Sequence, residues 1–238
     1  MNDLHTTAPT PLIGITCDVD QADARRFLRP GYTAAVIRAG GVPVMLEPDV
    51  NLIDAYLNMM HGFIFTGGDD PIMHDFGEQM HPQATAVHPD RQQFECTLLR
   101  ELDTHHPNMP VLGICLGMQY MALVHGGRLD QYIGDSHPQQ LATHWGKTEH
   151  DVTLTLAGAS HEGTVLSHHR QAVTDAGSLT ICGTSQPDDG VIEAVCDTDR
   201  CFYLGVQWHP ERTKPAVLGD DLFRALVRAA AAMHMISR

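Results

Sequence analysis

Basic residues are scarce in this chain: 15 Lys and Arg stand against 29 Asp and Glu, leaving a formal net charge of −14 over 238 residues. No basic stripe exists to neutralise phosphates, which argues against nucleic-acid binding. No apolar run approaches the ~20 residues that a membrane span requires. The acidic, polar start, Met1 to Pro11, has neither the basic end nor the apolar middle of a secretory leader. The expectation is a soluble, cytoplasmic protein. The six cysteines, at positions 17, 96, 115, 182, 196 and 201, form no CxxC pair and no regular framework, so reduced thiols are expected. There is no low-complexity tract, internal repeat or convincing linker. With 43% hydrophobic and 18% charged residues, the chain reads as one folded domain over residues 1–238.

What is present is punctuated strongly. Pro11 to Thr16 reads as a strand, Gly31 to Ala39 as a helix closed by Gly40-Gly41, and Pro43 to Leu46 as a second strand. Leu52 to Met60 predicts a helix, Phe63 to Phe65 a strand stopped at Gly67-Gly68, Asp90 to Thr104 a helix, and Val111 to Ile114 a strand. Strands separated by helices of this length imply parallel βαβ units, with reactive groups at the carboxyl ends of the strands. After Gly127 the texture changes. Val152 to Leu156, Thr164 to Leu166, Leu179 to Cys182, Val191 to Val195 and Phe202 to Val206 are short and mostly alternating, as in antiparallel strands. Pro215 to Met235 reads as a closing surface helix.

Gly113-Ile114-Cys115-Leu116-Gly117 joins an apolar strand directly to the helical stretch Met118 to Val124, the setting of a nucleophile elbow with cysteine in place of serine. The flanking glycines fit a turn too tight for side chains. A position at a helix N-terminus favours thiolate over thiol. Far downstream, Gln207-Trp208-His209-Pro210-Glu211 follows another strand. Pro210 biases His209 toward an extended backbone, and side chains two apart then project to one side. Glu211 could thus orient the His209 imidazole as a base for Cys115.

Together, Gly113 to Gln119 (GICLGMQ) and Gly205 to Glu211 (GVQWHPE) resemble class I glutamine amidotransferases and their hydrolase relatives. More narrowly, the chain is similar to the γ-glutamyl-γ-aminobutyrate hydrolase branch, the C26 cysteine peptidases. That likeness rests on Pro11 to Thr16, Arg38 to Pro43, Thr66 to Glu78, Pro89 to Glu95, Gly126-Gly127, Ser167 to Gln171 and Asp189 to Ala194. The resemblance implies a flavodoxin-like three-layer α/β/α fold: a mostly parallel central sheet with additional antiparallel strands. It also implies a Cys115, His209, Glu211 triad, and an oxyanion hole from the backbone N–H groups of Gly68 and Leu116. Gln119, Ser167 and His169 match substrate-binding positions. The implied activity is hydrolysis of a small-molecule γ-glutamyl amide through a thioester, with no cofactor and no metal; a homodimer is compatible with it. The sequence departs from the branch at Leu116 (usually Arg), Ala122 (usually Asn) and Arg170 (commonly His), which leaves the departing amine open.

Two other classes of function stand beside this one. A glutaminase component delivering ammonia to a separate synthase is suggested by the Cys115-Leu116-Gly117 form. A non-enzymatic binding module is disfavoured, because all three triad residues are present. Gly146-Lys147-Thr148 has the end of a phosphate loop, but Leu141 occupies the position its first glycine would need, so ATP binding is not expected. His161-Glu162 begins an HExxH motif that Val165 breaks. Asp69, Asp70 and Asp75 read as a solvated acidic turn near the site's mouth.

Overall fold

The computed structural model describes residues 10–187 and 190–236. Residues 1–9 of the amino-terminal stretch and Asp189 of the downstream landmark lie outside the described residues.

The elements run β1 (Leu12–Thr16), a small hairpin β2 (Asp18–Val19) and β3 (Arg26–Phe27), α1 (Pro30–Arg38), β4 (Val42–Leu46), α2 (Ile53–Met59), β5 (Gly62–Phe65), α3 (Pro89–His105), β6 (Val111–Ile114) and α4 (Leu116–Val124). There follow β7 (Arg128–Asp130), α5 (Ile133–Ser136), α6 (Leu141–His144), β8 (Thr148–Leu156), β9 (Ala159–Ser167), β10 (Ala172–Asp175), β11 (Thr180–Gln186), β12 (Ile192–Cys196), β13 (Tyr203–Val206) and α7 (Asp220–Ile236). The main sheet has the order β4-β1-β5-β6-β13-β12-β11-β8-β9. From β4 to β13 every pairing is parallel; from β13 to β9 every pairing is antiparallel.

Successive side chains of a strand point to opposite faces, and the parallel strands use both. Phe63 and Phe65 of β5 enter the core beneath α2, α3 and α4, with Phe94, Leu98 and Met121. Ile64, together with Ile13 and Ile15 of β1, enters the opposite core with Val36 of α1 and Phe223 and Leu226 of α7. Helices therefore cover both faces of the parallel half, as expected for this α/β class.

Two expectations need correction. Phe202 to Val206 reads by its texture as one of the antiparallel strands, yet β13 pairs parallel with β6, Tyr203 opposite Val111 through Val206 opposite Ile114. It is antiparallel only to β12, and all four of its residues are buried, so no alternation marks its direction. The final helix is also more than a surface cover. It begins at Asp220 after a 3₁₀ turn at Ala216–Leu218, and Leu222, Phe223, Leu226, Val227 and Ala230 sink one stripe into the core.

Candidate active site

The carboxyl ends of β5, β6 and β13 meet at one cavity of about 300 Å³, lined among others by Gly67, Gly68, Cys115, Gln119, His169 and His209. Cys115 sits between β6 and α4 with φ 53° and ψ −103°, a left-handed conformation that side chains rarely adopt. The flanking glycines are what permit it. A Cβ on Gly117 would stand 2.2 Å from the Phe65 carbonyl oxygen, and one on Gly113 would stand 2.4 Å from Met121 Sδ and 2.8 Å from the Gly117 carbonyl carbon. The tight-turn reading of those residues is thus correct in its physical detail.

His209 is buried, and its backbone N–H is held by the Leu166 carbonyl at 2.9 Å. Its Nδ1 lies 2.9 Å from Glu211 Oε1. The pairing is made differently from the expectation. Pro210–Arg212 is a 3₁₀ turn, not extended chain, and it is this curl that swings Glu211 back under the ring. Arg212 Nε adds a contact to the same carboxylate at 3.2 Å, and the start of α1 packs on it, where a Cβ on Gly31 would lie 3.0 Å from Glu211 Cγ. Burial alone would push the His209 imidazole down. The adjacent Glu211 carboxylate, with hydrogen bonds to Cys115 and Glu211, more than reverses this and raises it to about 9.

The two residues expected to supply oxyanion-hole amides are neighbours: a Cβ on Gly68 would lie 3.0 Å from Leu116 Cδ2. Leu116 is the first residue of α4, where backbone N–H groups have no intrahelical acceptor. Gly67 donates its N–H to the Tyr32 hydroxyl at 3.1 Å, while the neighbouring Gly68 N–H has no hydrogen-bond acceptor among the described residues. Behind this turn lies Arg91, fully buried. It donates to the Thr66 carbonyl at 2.9 Å and the Gly67 carbonyl at 3.3 Å, and pairs with Glu95 at 2.6 Å and Asp18 at 2.9 Å. A Cβ on Gly68 would come within 2.3 Å of its Nη1.

Gln119 is buried and donates to Gln207 Oε1 at 3.3 Å, and Gln207 Nε2 in turn donates to Cys115 Sγ at 3.5 Å. His169 lines the cavity and carries a hydrogen bond from Nδ1 to the Gln171 carbonyl at 2.7 Å. Ser167 departs from the expectation. It is fully buried, is not among the cavity-lining residues, and turns its hydroxyl to the His144 carbonyl at 3.0 Å.

The acidic turn is less solvated than expected, because Asp70 and Asp75 are used internally. Asp70 accepts from the Thr85 N–H at 2.7 Å and pairs with Arg170 at 2.7 Å, and Asp75 accepts from Gln92 at 2.6 Å. Asp69 stays exposed at the mouth, with its carboxyl raised by partial burial and by Asp18 and Asp70.

Several residues of the site were not singled out from sequence: Gln207, Arg91, and the wall of the cavity formed by Trp145, Lys147 and His168. The Trp145 and His168 rings stack at 4.3 Å between centroids, and Arg170 lies over the Trp145 ring at 5.3 Å. The family model for Peptidase C26 matches residues 11–211.

The chain belongs to the Peptidase C26 family.

With that family it is a glutamine amidotransferase-like hydrolase. A Mycobacterium tuberculosis protein provisionally named a glutamine amidotransferase is 32% identical over 94% of this chain and 76% of its own length. The γ-glutamyl-γ-aminobutyrate hydrolase of Escherichia coli K12 is 26% identical over 92% of this chain and 93% of its own. Among solved structures, a Thermoplasma acidophilum protein provisionally assigned as part of a GMP synthase superposes with a TM-score of 0.66 at 18% identity, covering 96% of this chain and 98% of that one. At that identity the match speaks for the fold, a class I glutamine amidotransferase-like arrangement of the flavodoxin type. No helix among the described residues is long and apolar enough to cross a membrane.

Proposed function

We propose that this C26 chain hydrolyses γ-glutamyl amides through a covalent thioester, with Cys115 as nucleophile, His209 as proton carrier and Glu211 as its orienting carboxylate. The observation that carries the reading is the 2.9 Å His209–Glu211 contact beside a cysteine held at positive φ on the same cavity. Cys115 sulfur forms a bond to the γ-carbonyl carbon, and the developing oxyanion is met by the Gly68 and Leu116 amides. The C–N bond then breaks as the His209 imidazolium gives its proton to the departing amine. Water, its proton taken by the same imidazole, attacks the thioester; the C–S bond breaks, glutamate leaves, and the sulfur is released as thiolate beside the re-formed imidazolium. Gln207, donating to Cys115 Sγ, supports the sulfur while it is anionic.

The charges around the cavity support an amine that itself bears a carboxylate, such as γ-aminobutyrate. Arg29 is faced by Asp18, Arg170 by Asp70 and Arg212 by Glu211. Lys147 lines the cavity with no acidic partner among the described residues. A carboxylate on the leaving group would meet it.

The test gives purified protein a panel of glutamine, γ-glutamyl-γ-aminobutyrate and γ-glutamyl amides of uncharged amines, and follows glutamate release. The expected result is turnover without a partner, fastest for the acidic amide, abolished in Cys115→Ala, with Lys147→Ala raising KM for the acidic amide alone. A second reading, a glutaminase serving a separate synthase, draws on Leu116 in the elbow. It takes over if glutamine alone is cleaved, and only when cell extract is added.

A further inference from the structure

Outside the proposed triad, the described residues include a buried group of ionisable side chains. His144 ends α6, His150 lies on β8, His169 follows β9, and Glu193 lies on β12. All four are buried, His144 and Glu193 completely. From Glu193 Oε1 the distances are 3.2 Å to His144 Nδ1, 3.2 Å to His150 Nε2 and 3.6 Å to His169 Nε2. Three imidazole nitrogens thus face a single carboxylate oxygen.

The protonation of one ring follows from its other contact. His169 Nδ1 is 2.7 Å from the Gln171 carbonyl oxygen, which can only accept, so Nδ1 carries the hydrogen. In the neutral ring Nε2 then presents a lone pair to the Glu193 carboxylate, and Nε2 has no hydrogen-bond partner among the described residues. Two buried acceptors facing each other need a cation between them.

We propose that His144, His150, His169 and Glu193 form a binding site for a divalent transition-metal ion of the zinc class. Metal bonds of about 2.1 Å in tetrahedral geometry place ligand atoms about 3.4 Å apart. The 3.2, 3.2 and 3.6 Å distances from Glu193 Oε1 match that spacing. The ligand atoms of His144, His150 and Glu193 lie within 4.8 Å of one another. Three imidazoles and one carboxylate suit zinc. Metal-bound histidines characteristically donate their other ring N–H to a carbonyl, as His169 does to Gln171. His150 Nδ1 is buried without such a partner, which makes His150 the weakest ligand of the set.

Four protein ligands leave no open position for substrate, so the ion is structural. It joins α6, β8, the segment after β9, and β12, and so fixes the two ends of the Trp145–His168 wall. The backbone already holds the ligands in place: the His169 N–H donates to the His144 carbonyl at 2.8 Å, and the Glu193 carbonyl accepts from Gln207 at 2.8 Å. This revises the sequence expectation that no metal is held, while leaving the proposed chemistry free of one.

The experiment uses full-length protein made without a histidine tag. Metal content is measured by mass spectrometry, and chelator-stripped protein is titrated with Zn²⁺ and with Co²⁺ as a spectroscopic probe. The expected result is one ion per chain, a rise in Tm on adding Zn²⁺ back, and the visible bands of tetrahedral cobalt. Glu193→Gln and His169→Ala should weaken binding by more than about 10²-fold, His150→Ala by less, and His105→Ala, on an exposed ring, should change nothing. Wild-type protein that carries no ion and takes up neither metal overturns the proposal without recourse to any variant. Uptake that survives unchanged in both Glu193→Gln and His169→Ala places the metal elsewhere and overturns it equally.

Discussion

Glu211 governs how much of the site's charge is available at a given pH. Its carboxylate is the largest of the effects raising the His209 imidazole to about 9 from an ordinary 6.5. Below that value His209 holds the proton that the departing amine needs; above it the proton is lost. Turnover should therefore fall as pH rises through about 9. Glu211→Gln removes the charge that lifts the ring, so the alkaline limb should move to lower pH, with the maximal rate down by roughly 10²-fold or more. A pH profile of kcat/KM for both proteins checks this, and an unmoved limb would remove Glu211 from its role. The same shift is a statement about stability. A histidine raised on folding stabilises the fold fully below about 6.5, and that contribution fades as pH rises through 9. Wild-type Tm should decline over that window by more than the Tm of Glu211→Gln.

At the scale of elements, the site is a junction of strand ends, and what holds the junction differs in how visible it is from sequence. The β6–α4 turn was legible because its demand is local: two glycines, a cysteine and an apolar strand within a few positions. Gly117→Ala tests that demand, since its Cβ would sit 2.2 Å from the Phe65 carbonyl oxygen. The overpacking should cost about 1–3 kcal/mol and displace Cys115, lowering both Tm and kcat. His209 and Glu211 were legible as a pair, although the 3₁₀ turn that joins them was not, because Pro210 suits an extended chain and a first helical turn equally well. Gln207, 92 positions from the sulfur it touches, could not be read without the β6–β13 pairing. Arg91 lies within the Pro89 to Glu95 landmark, but its role could not be read there. An arginine in the first turn of a helix ordinarily faces water, and only the fold shows it buried under Gly67-Gly68 with Glu95 and Asp18. Arg91→Met leaves Glu95 buried without its partner, which should destabilise the protein by about 3–5 kcal/mol in denaturant unfolding. Because Arg91 also holds the Gly68 turn, kcat should fall more than KM rises.

Over the whole molecule, the fold sorts six chemically equal thiols into different fates. Cys201 is exposed and the other five are buried. Burial pushes Cys17 up to about 11 and Cys96 up to about 12, so neither supplies thiolate near neutral pH. Cys182 is hydrogen-bonded to buried Cys196 across neighbouring strands. Cys115 is buried by its neighbours yet opens on the cavity, with Gln207 and His209 at its sulfur. A small alkylating agent applied to the native protein should therefore label Cys201 by exposure and Cys115 by reactivity, and reach the other four only after unfolding. The two labelled sites are separable by a second agent. A γ-glutamyl chloromethyl ketone carries the head group that the cavity is proposed to hold, so it should label Cys115 far faster than Cys201, and excess glutamate should protect Cys115 alone. Peptide mapping by mass spectrometry reads both outcomes. Equal labelling of the two, or protection of neither, would mean that exposure and not the arrangement of strand ends decides which sulfur reacts. The sheet would then be a scaffold around an ordinary buried thiol, and the case for a nucleophile at the end of β6 would fail with it.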